Sequence, residues 1–367
     1  MTKILELVSW FDSIAPHSLA APWDNTGLLM GDAELQIKKV LVCLTLTSDV
    51  ALEAIDKKID LIVTHHPLPF KPLNKITTST VLGKILWKLA NKGIGVYSLH
   101  TRWDDAVGGI NDALLNLLGA KSLGPIVTPD SNDETKLVTF VPEEVFEKVA
   151  EALFNAGAGK IGNYSQCSFY NEGTGTFFGN ELSNPMFGKK GQIEKVKEIR
   201  LEVICPNASI QYIIDILMQV HPYEEPVYDL FMLKPKPSGA GSGRLGLLQK
   251  PLSIAQIAKK FTNTLNLKKI QFAGKVDLVV SKVAVVCGSG AALMGKAFSL
   301  GAECFITGEA RFHDLLEAKE QNKGILMLGH YESEKPGIEK LATDLGMAFP
   351  ALQVFDSEVE QDPLISF

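Results

Sequence analysis

Residues 60–70 read DLIVTHHPLPF, so an apolar run stops at two adjacent histidines and a proline. The pattern recurs along the chain. After VYSL come His100 and Thr101, with Asp104 and Asp105 close behind; after CFIT come Gly308 and Glu309, with His313 four residues later. After ILML come Gly329 and His330, then Glu334. The chain has 7 histidines, and only His17 and His221 fall outside these segments. Imidazoles and carboxylates gathered in this way suit Zn, Fe, Mn, Co or Ni. Neighbouring strand residues point to opposite faces, and Pro67 ends the strand, so His65 and His66 can reach two different ions. Glu334 follows His330 by about one helical turn, and a carboxylate has an oxygen for each of two cations. Paired ions about 3.5–4 Å apart lower the pKa of a water between them and polarise the bond it attacks.

Competing roles exist for each residue. Asp104 or Asp105 could cap the helix that GGINDALL opens. Glu334 could complement the positive end of its helix. His100, Glu309 and His313 are candidates for orienting ligand imidazoles or carrying protons. His221, near Glu224 and Glu225, fits a turn better than a metal site.

Such residues need elements that bring them together. Apolar runs at 38–47, 59–65 and 93–100 alternate with helical patterns at 48–57 and 79–91. The rhythm returns with runs at 282–287, 303–308 and 324–330 and helical patterns at 291–300, 311–322 and 336–346, Pro336 suiting the early part of the last. Continuous apolar strands spaced by helices predict largely parallel sheets buried on both faces, which bind ligands at the carboxyl ends of their strands. The middle differs. A strand at 136–141 leads, through Pro142 in the first turn, to a helix carrying Val145, Phe146, Val149, Ala150, Leu153 and Phe154. Strand-like pieces at 164–170 and 174–178, a strand at 197–205, a helix carrying Ile210, Ile213, Ile214, Leu217 and Val220, and a strand at 226–233 follow. That order predicts a ferredoxin-like α+β unit at 127–238, inserted into a split α/β core made of 1–126 and 239–367. LGPIVTPDSNDET and KPKPSGAGSG punctuate its ends.

The 367 residues carry a net charge of -6 with acids and bases interspersed, which argues against a nucleic-acid surface. No apolar run approaches the length of a membrane span. The 5 cysteines are scattered and never in CxxC spacing; four sit in apolar runs and read as buried hydrophobes. The first 20 residues predict an amphipathic helix without the features of a secretory signal, and a reducing, cytoplasmic setting is the simplest expectation. VVCGSGAAL, at 285–293, fits a tight strand-to-helix turn better than a phosphate cradle, and NAGAGKIGNY lacks the spacing and hydroxyl of a P-loop.

The motifs WDNTGLLMGD (23–32), THHPLPF (64–70), HTRWDDAVGGIND (100–112), CGSGAAL (287–293), ITGEARFH (306–313) and GHYESE (329–334) occur in the order found in a known family. The chain resembles the Nif-three-like proteins, often labelled GTP cyclohydrolase I type 2 homologues. The resemblance implies two divalent ions per chain, one held by His65 and Asp104 and the other by His66 and His330, with Glu334 bridging. It implies a ring-shaped homohexamer with metal sites facing a cavity, and an insert similar to the trimer-forming PII and CutA proteins. A hydroxide held between such ions would serve a metal-dependent hydrolase of a nucleotide or phosphoester, and the resemblance implies GTP cyclohydrolase-type activity. A sensor of metal or nucleotide without turnover, and a metal store or chaperone, are the alternatives. Two departures stand out. Thr101-Arg102-Trp103 replaces the family's usual small polar and aliphatic pair, which puts substrate contacts or packing near the metals in question. Glu309 stands where Asp is common.

Overall fold

A computed structural model describes residues 2–128, 134–162, 164–233 and 239–365. The expected punctuation at the insert's two ends falls partly outside these. The chain forms two compact units, Met1–Pro129 with Pro237–Phe367, and Asp130–Lys236.

The first unit is a mixed α/β structure with two principal sheets. One has the strand order Gln353–Asp356, Lys39–Thr45, Leu61–His66, Gly95–Ser98, Gly27–Met30. Its first four strands are parallel, and Gly27–Met30 adds an antiparallel edge. The other runs Gln271–Ala273, Gly324–Met327, Cys304–Thr307, Val279–Val286, Arg244–Ser253, Lys121–Gly124. Only its three middle strands are parallel to one another. The expectation of largely parallel sheets therefore fails for this half, where the outer strands join antiparallel. Arg244–Ser253 ends in KPLS, too polar and interrupted to announce a buried strand.

Alternation along the strands explains the layering. Val40, Val42, Val63 and Tyr97 of one sheet and Val283, Val285, Ile306 and Leu326 of the other share one core. Filling it are Ile4, Leu7 and Phe11 from the first helix, Ile110 and Leu114, and Ile338, Leu341 and Leu345. The opposite faces are covered separately. Leu41, Ile62 and Val96 pack with Val50, Ala54, Ile85 and Leu89. Ala284, Phe305 and Ile325 pack with Met294, Ala297 and Ala318. Burial on both faces is what continuous apolar strands require.

The C-terminal helix spans His330–Ala348, six residues longer at its start than the sequence pattern suggests. Pro336 lies inside it rather than in the first turn. The proline removes the N–H that would bond the Glu332 carbonyl, a loss tolerated in the second turn because packing of Ile338, Leu341 and Leu345 holds the helix. Among the described residues, no helix is long and apolar enough to cross a membrane.

The second unit has a four-stranded sheet ordered Tyr228–Met232, Glu134–Pro142, Ile193–Pro206, Ser168–Phe178, antiparallel throughout. Helices Phe146–Asn155 and Ile210–Val220 bury Val149, Leu153, Ile213 and Leu217 against Leu137, Val141, Ile199, Leu201 and Val203. Two strand pieces expected at 164–170 and 174–178 are one strand, Ser168–Phe178. Gly175 does not break it, and a Cβ there would collide with the Glu198 carboxylate on the paired strand. Pro142 ends its strand and precedes a 3-10 turn, Glu143–Val145, instead of entering the helix. Val127, expected to begin the insert, pairs with Ser242 inside the first unit.

His221 closes a turn in the second unit. Its Nδ1 accepts the Tyr223 N–H at 3.1 Å, and its Nε2–H donates to the Phe140 carbonyl at 3.0 Å. Both bonds together require the neutral ring, and burial lowers its pKa below the ordinary 6.5 or so. Below that value the unfolded chain binds a proton that the folded ring refuses, so stability falls as pH drops and levels off above it. The urea midpoint of this unit, followed by circular dichroism, is expected to decline from about pH 7 to about pH 5, and the decline to flatten in His221→Gln.

Candidate metal centre

The carboxyl ends of both sheets in the first unit meet at one carboxylate. Glu334 Oε2 lies 3.1 Å from His66 Nε2, and Oε1 lies 3.2 Å from His330 Nε2 and 3.8 Å from His65 Nε2. Asp104 Oδ1 is 3.6 Å from His65 Nε2. The five residues expected as metal ligands are therefore neighbours. His66, His330 and Glu334 offer donor atoms within 4.8 Å of one another, and so do His65, His66 and His100. The second group brings His100 forward as a donor where an orienting role was expected.

Close approach depends on Gly288. Its φ is +55°, and a Cβ would run into Glu334 Oε1. Strand Val279–Val286 delivers this glycine to the cluster, and its N–H donates to Ser333 Oγ at 2.9 Å.

The charges are out of balance. Burial drives His65 well below its ordinary pKa, leaving a neutral ring. Burial, reinforced by the Glu334 charge, pushes Asp104 well above the usual carboxylate range. Burial would raise Glu334 too, but the His330 hydrogen bond and the neighbouring His66 outweigh it and hold the carboxyl low. His330 is pushed up to about 9, chiefly by its hydrogen bond to Glu334. His65 Nδ1 and Nε2 and Glu334 Oε2 are buried without any hydrogen-bond partner. Among the described residues, no lysine or arginine forms an ion pair with Asp104 or Glu334. Orphaned nitrogen lone pairs and a buried carboxylate oxygen without a hydrogen-bond partner fit a divalent cation, with the donor types that Zn, Fe, Mn, Co and Ni accept.

Further residues orient the donors. Thr45 Oγ1 lies 2.8 Å from His66 Nδ1, and Glu309 Oε1 lies 3.2 Å from His330 Nδ1. Asp24 Oδ1 is 2.7 Å from His100 Nδ1, while Oδ2 accepts the Thr101 hydroxyl at 2.5 Å. The Cys287 thiol donates to Asp104 Oδ1 at 3.1 Å, and Asn111 Nδ2 donates to the Asp104 carbonyl at 2.9 Å. Glu360 accepts the Leu44 and Thr45 N–H groups at 3.0 and 2.5 Å, fixing the strand end beside His66. His313 is the exception. It is exposed at the start of helix Phe312–Glu320, and no described contact joins it to the cluster. Neither Asp104 nor Asp105 caps the next helix, where Asp112 Oδ2 takes the Gly108 N–H at 2.7 Å.

Asp24, Thr45, Cys287 and Glu360 were not singled out from the sequence. Thr45 and Cys287 carried a usable signal, since each ends an apolar strand just as His66 does. Asp24 falls within the WDNTGLLMGD motif, which does not reveal its partners; Glu360 carried no signal, because its partners are distant in the chain. Arg102 turns away from the centre: Nε donates to the Ala15 carbonyl at 2.8 Å, and Nη2 meets Asp12 Oδ1 at 2.5 Å. The departure at this position therefore secures the end of the first helix.

The model of Duf34/NIF3 (NGG1p interacting factor 3) matches residues 2–363. The chain belongs to the DUF34/NIF3 family. It is 35% identical over 360 residues to the GTP cyclohydrolase 1 type 2 homolog of Halalkalibacterium halodurans, covering 97% of each chain. The Bacillus subtilis protein of the same name is 33% identical over 362 residues, covering 98% of this chain and 97% of that one. The structure of a Bacillus cereus protein related to NIF3 superposes with a TM-score of 0.71 at 35% identity, covering 100% of this chain and 99% of the other.

Beside this cluster, the Asp24 side chain is fully buried and serves three donors of residues 100 and 101. Asp24→Ala is expected to cost roughly 1.5–3 kcal/mol, the range for hydrogen bonds to a charged group, read from the urea midpoint. Asp24→Asn keeps one acceptor oxygen and is expected to lose less.

Proposed function

We propose that the protein is a metal-dependent hydrolase of a nucleotide or phosphoester, with His65 and Asp104 holding one divalent ion, His66 and His330 the other, and Glu334 between them. The observation that carries this reading is the buried Glu334 carboxylate, whose two oxygens face three imidazoles at 3.1–3.8 Å while nearby lone pairs have no partner. Bound there, such ions would acidify water and polarise the bond under attack. The chain's own residues do the rest. Thr45 and Glu309, each beside an Nδ1, leave the Nε2 atoms of His66 and His330 toward the cluster. His65 keeps a lone pair available because burial disfavours its protonated form. Glu309 is half-exposed, touches His330, and is positioned to pass a proton between the centre and solvent; His100 is the other candidate. The relatives' name suggests GTP as a first substrate to test.

The proposal extends to the second unit as a ferredoxin-like, PII- or CutA-like insert, and to assembly as a homohexamer. The 4-1-3-2 strand order supports the first, and exposed Phe169, Phe178 and Phe231 on its edge strands support association. A specific observation favours a sensor as the second reading. This unit contains a cavity of about 830 Å³ lined by Phe140, Phe177, Phe187, Tyr223, Glu198 and Arg200, large enough for a small-molecule ligand.

Elemental mass spectrometry on protein purified without chelator is expected to find about two ions per chain, with a marked loss in Glu334→Ala. Metal-loaded wild type is expected to turn over GTP or a phosphodiester, and His66→Ala to abolish turnover without a change in circular dichroism. Turnover that survives His66→Ala would sink the enzyme reading. Metal-loaded protein that binds GTP without turnover, with binding lost in Arg200→Ala, would favour the sensor.

A further inference from the structure

Two aromatic side chains beside the centre have no structural reason to be where they are. Trp23 is 63% exposed and Phe70 is 46% exposed, so neither fills a core. Their ring centroids are 6.0 Å apart, and each lies about one ring from His100, at 5.9 and 6.0 Å. The His100 ring in turn sits 5.2 Å from His65 and 5.7 Å from His66. Their backbone supports are tied together. Asn25 Nδ2 donates to the Pro69 carbonyl at 2.7 Å, linking the loop of Trp23 to the loop of Phe70. Asp24 grips His100 and Thr101, and Thr101 Oγ1 accepts the Ala21 N–H at 3.0 Å. A pair of large aromatics is thus held on fixed supports, exposed, at the rim of a polar site.

We infer that Trp23 and Phe70 form a wall on which the planar heteroaromatic ring of the substrate stacks while its other end reaches the imidazole–carboxylate cluster. This rests on reading the cluster as the metal-dependent site proposed above. The geometry fixes how the ring lies. Trp23 and Phe70 are tilted by 44° with centroids at 6.0 Å, too close to admit a third ring between them. The substrate ring therefore stacks on an outer face, offset, as an electron-poor ring prefers over electron-rich indole. Fused nitrogen heterocycles of purine type meet that description. Because every such base has a π face, stacking of this kind tolerates changes in exocyclic groups. The substrate class is a planar nitrogen heterocycle carrying, at its other end, the group on which the cluster acts.

The test is calorimetric titration of the full metal-loaded chain with guanosine 5′-monophosphate and, separately, ribose 5-phosphate, which lacks the ring. Wild type is expected to bind the ring-bearing probe roughly ten-fold tighter or more, as expected for one base on one aromatic side chain. Trp23→Leu should remove most of that margin and leave ribose 5-phosphate binding and metal content unchanged; Trp23→Phe should restore most of it. Phe70→Leu should act in the same direction. Equal affinity for the two probes in wild type, or equal loss of both in Trp23→Leu, would overturn the inference. So would an unchanged margin in Trp23→Leu accompanied by a shift in sedimentation, which would assign the wall to contact with a second copy. Metal analysis keeps the two readings separate: a metal-free chain with a Trp23-dependent preference for the ring would retain the wall and remove the metal assignment.

Discussion

A carboxylate is costly to bury, and Glu334 is buried among imidazoles drawn from two sheets. His330 and His66 beside it sustain its charge, because desolvation alone would favour the protonated acid. That requirement constrains the first unit. The carboxyl ends of two separate sheets must converge, and the helix carrying Glu334 must lie between them. Ile338, Leu341 and Leu345 meet this condition by packing into the core that both sheets share. The polar centre thus sits at the mouth of an apolar layer, and the long helix links the two.

The segment 100–104 shows how a few residues can serve several directions at once. His100 has φ of +37°, a turn that redirects the chain as it leaves its strand. Thr101 reaches Asp24, Arg102 reaches the carbonyl end of the first helix, and Trp103 Nε1 donates to the Gly337 carbonyl at 2.9 Å. His100 and Asp104 face the cluster. Trp103 therefore pins Asp104 to the same helix that presents His330 and Glu334, fixing the distance between the two carboxylates. Arg102 is buried with its guanidinium satisfied by Ala15, Asp12 and Tyr97, which removes it as a countercharge for the centre. A cation beside Asp104 would repel a metal ion, so its diversion leaves the cluster able to hold one.

Much of this was legible from one pattern, a polar residue directly after an apolar run. His65 and His66 end a strand and His100, Glu309 and His330 follow closely after strands, and parallel strands gather their carboxyl ends by construction. His313 satisfied the same spacing rule and failed, because it lies on the exposed side of its helix, where sequence distance from a strand no longer predicts direction. The role of Asp24 was invisible, although it falls within WDNTGLLMGD, since its partners lie 76 and 77 residues away. The antiparallel strands escaped for a different reason. Gly27–Met30, Lys121–Gly124 and Gln271–Ala273 are short edge elements whose residues are only partly buried, so they lack the apolar continuity that marks a central strand.

The centre draws its residues from both segments of the first unit, with positions 24–104 on one side and 287–360 on the other. Such a site survives interruption only if the core closes on itself where the chain leaves and returns. Val127 and Ser242 form that closure through paired backbone hydrogen bonds. Arg244 reinforces it from inside. Its guanidinium donates to Asp112 Oδ1 at 2.9 Å and to the Gly241 and Ala106 carbonyls at 2.6 and 2.7 Å. These contacts bind the returning strand to the helix region that follows Asp104. Because the exit and return points are adjacent, the entropic cost of closing the core depends only weakly on how many residues intervene. The geometry of Asp104 against Glu334 is thus set within the first unit by Trp103, Asn111 and Arg244, whatever fold occupies the intervening segment.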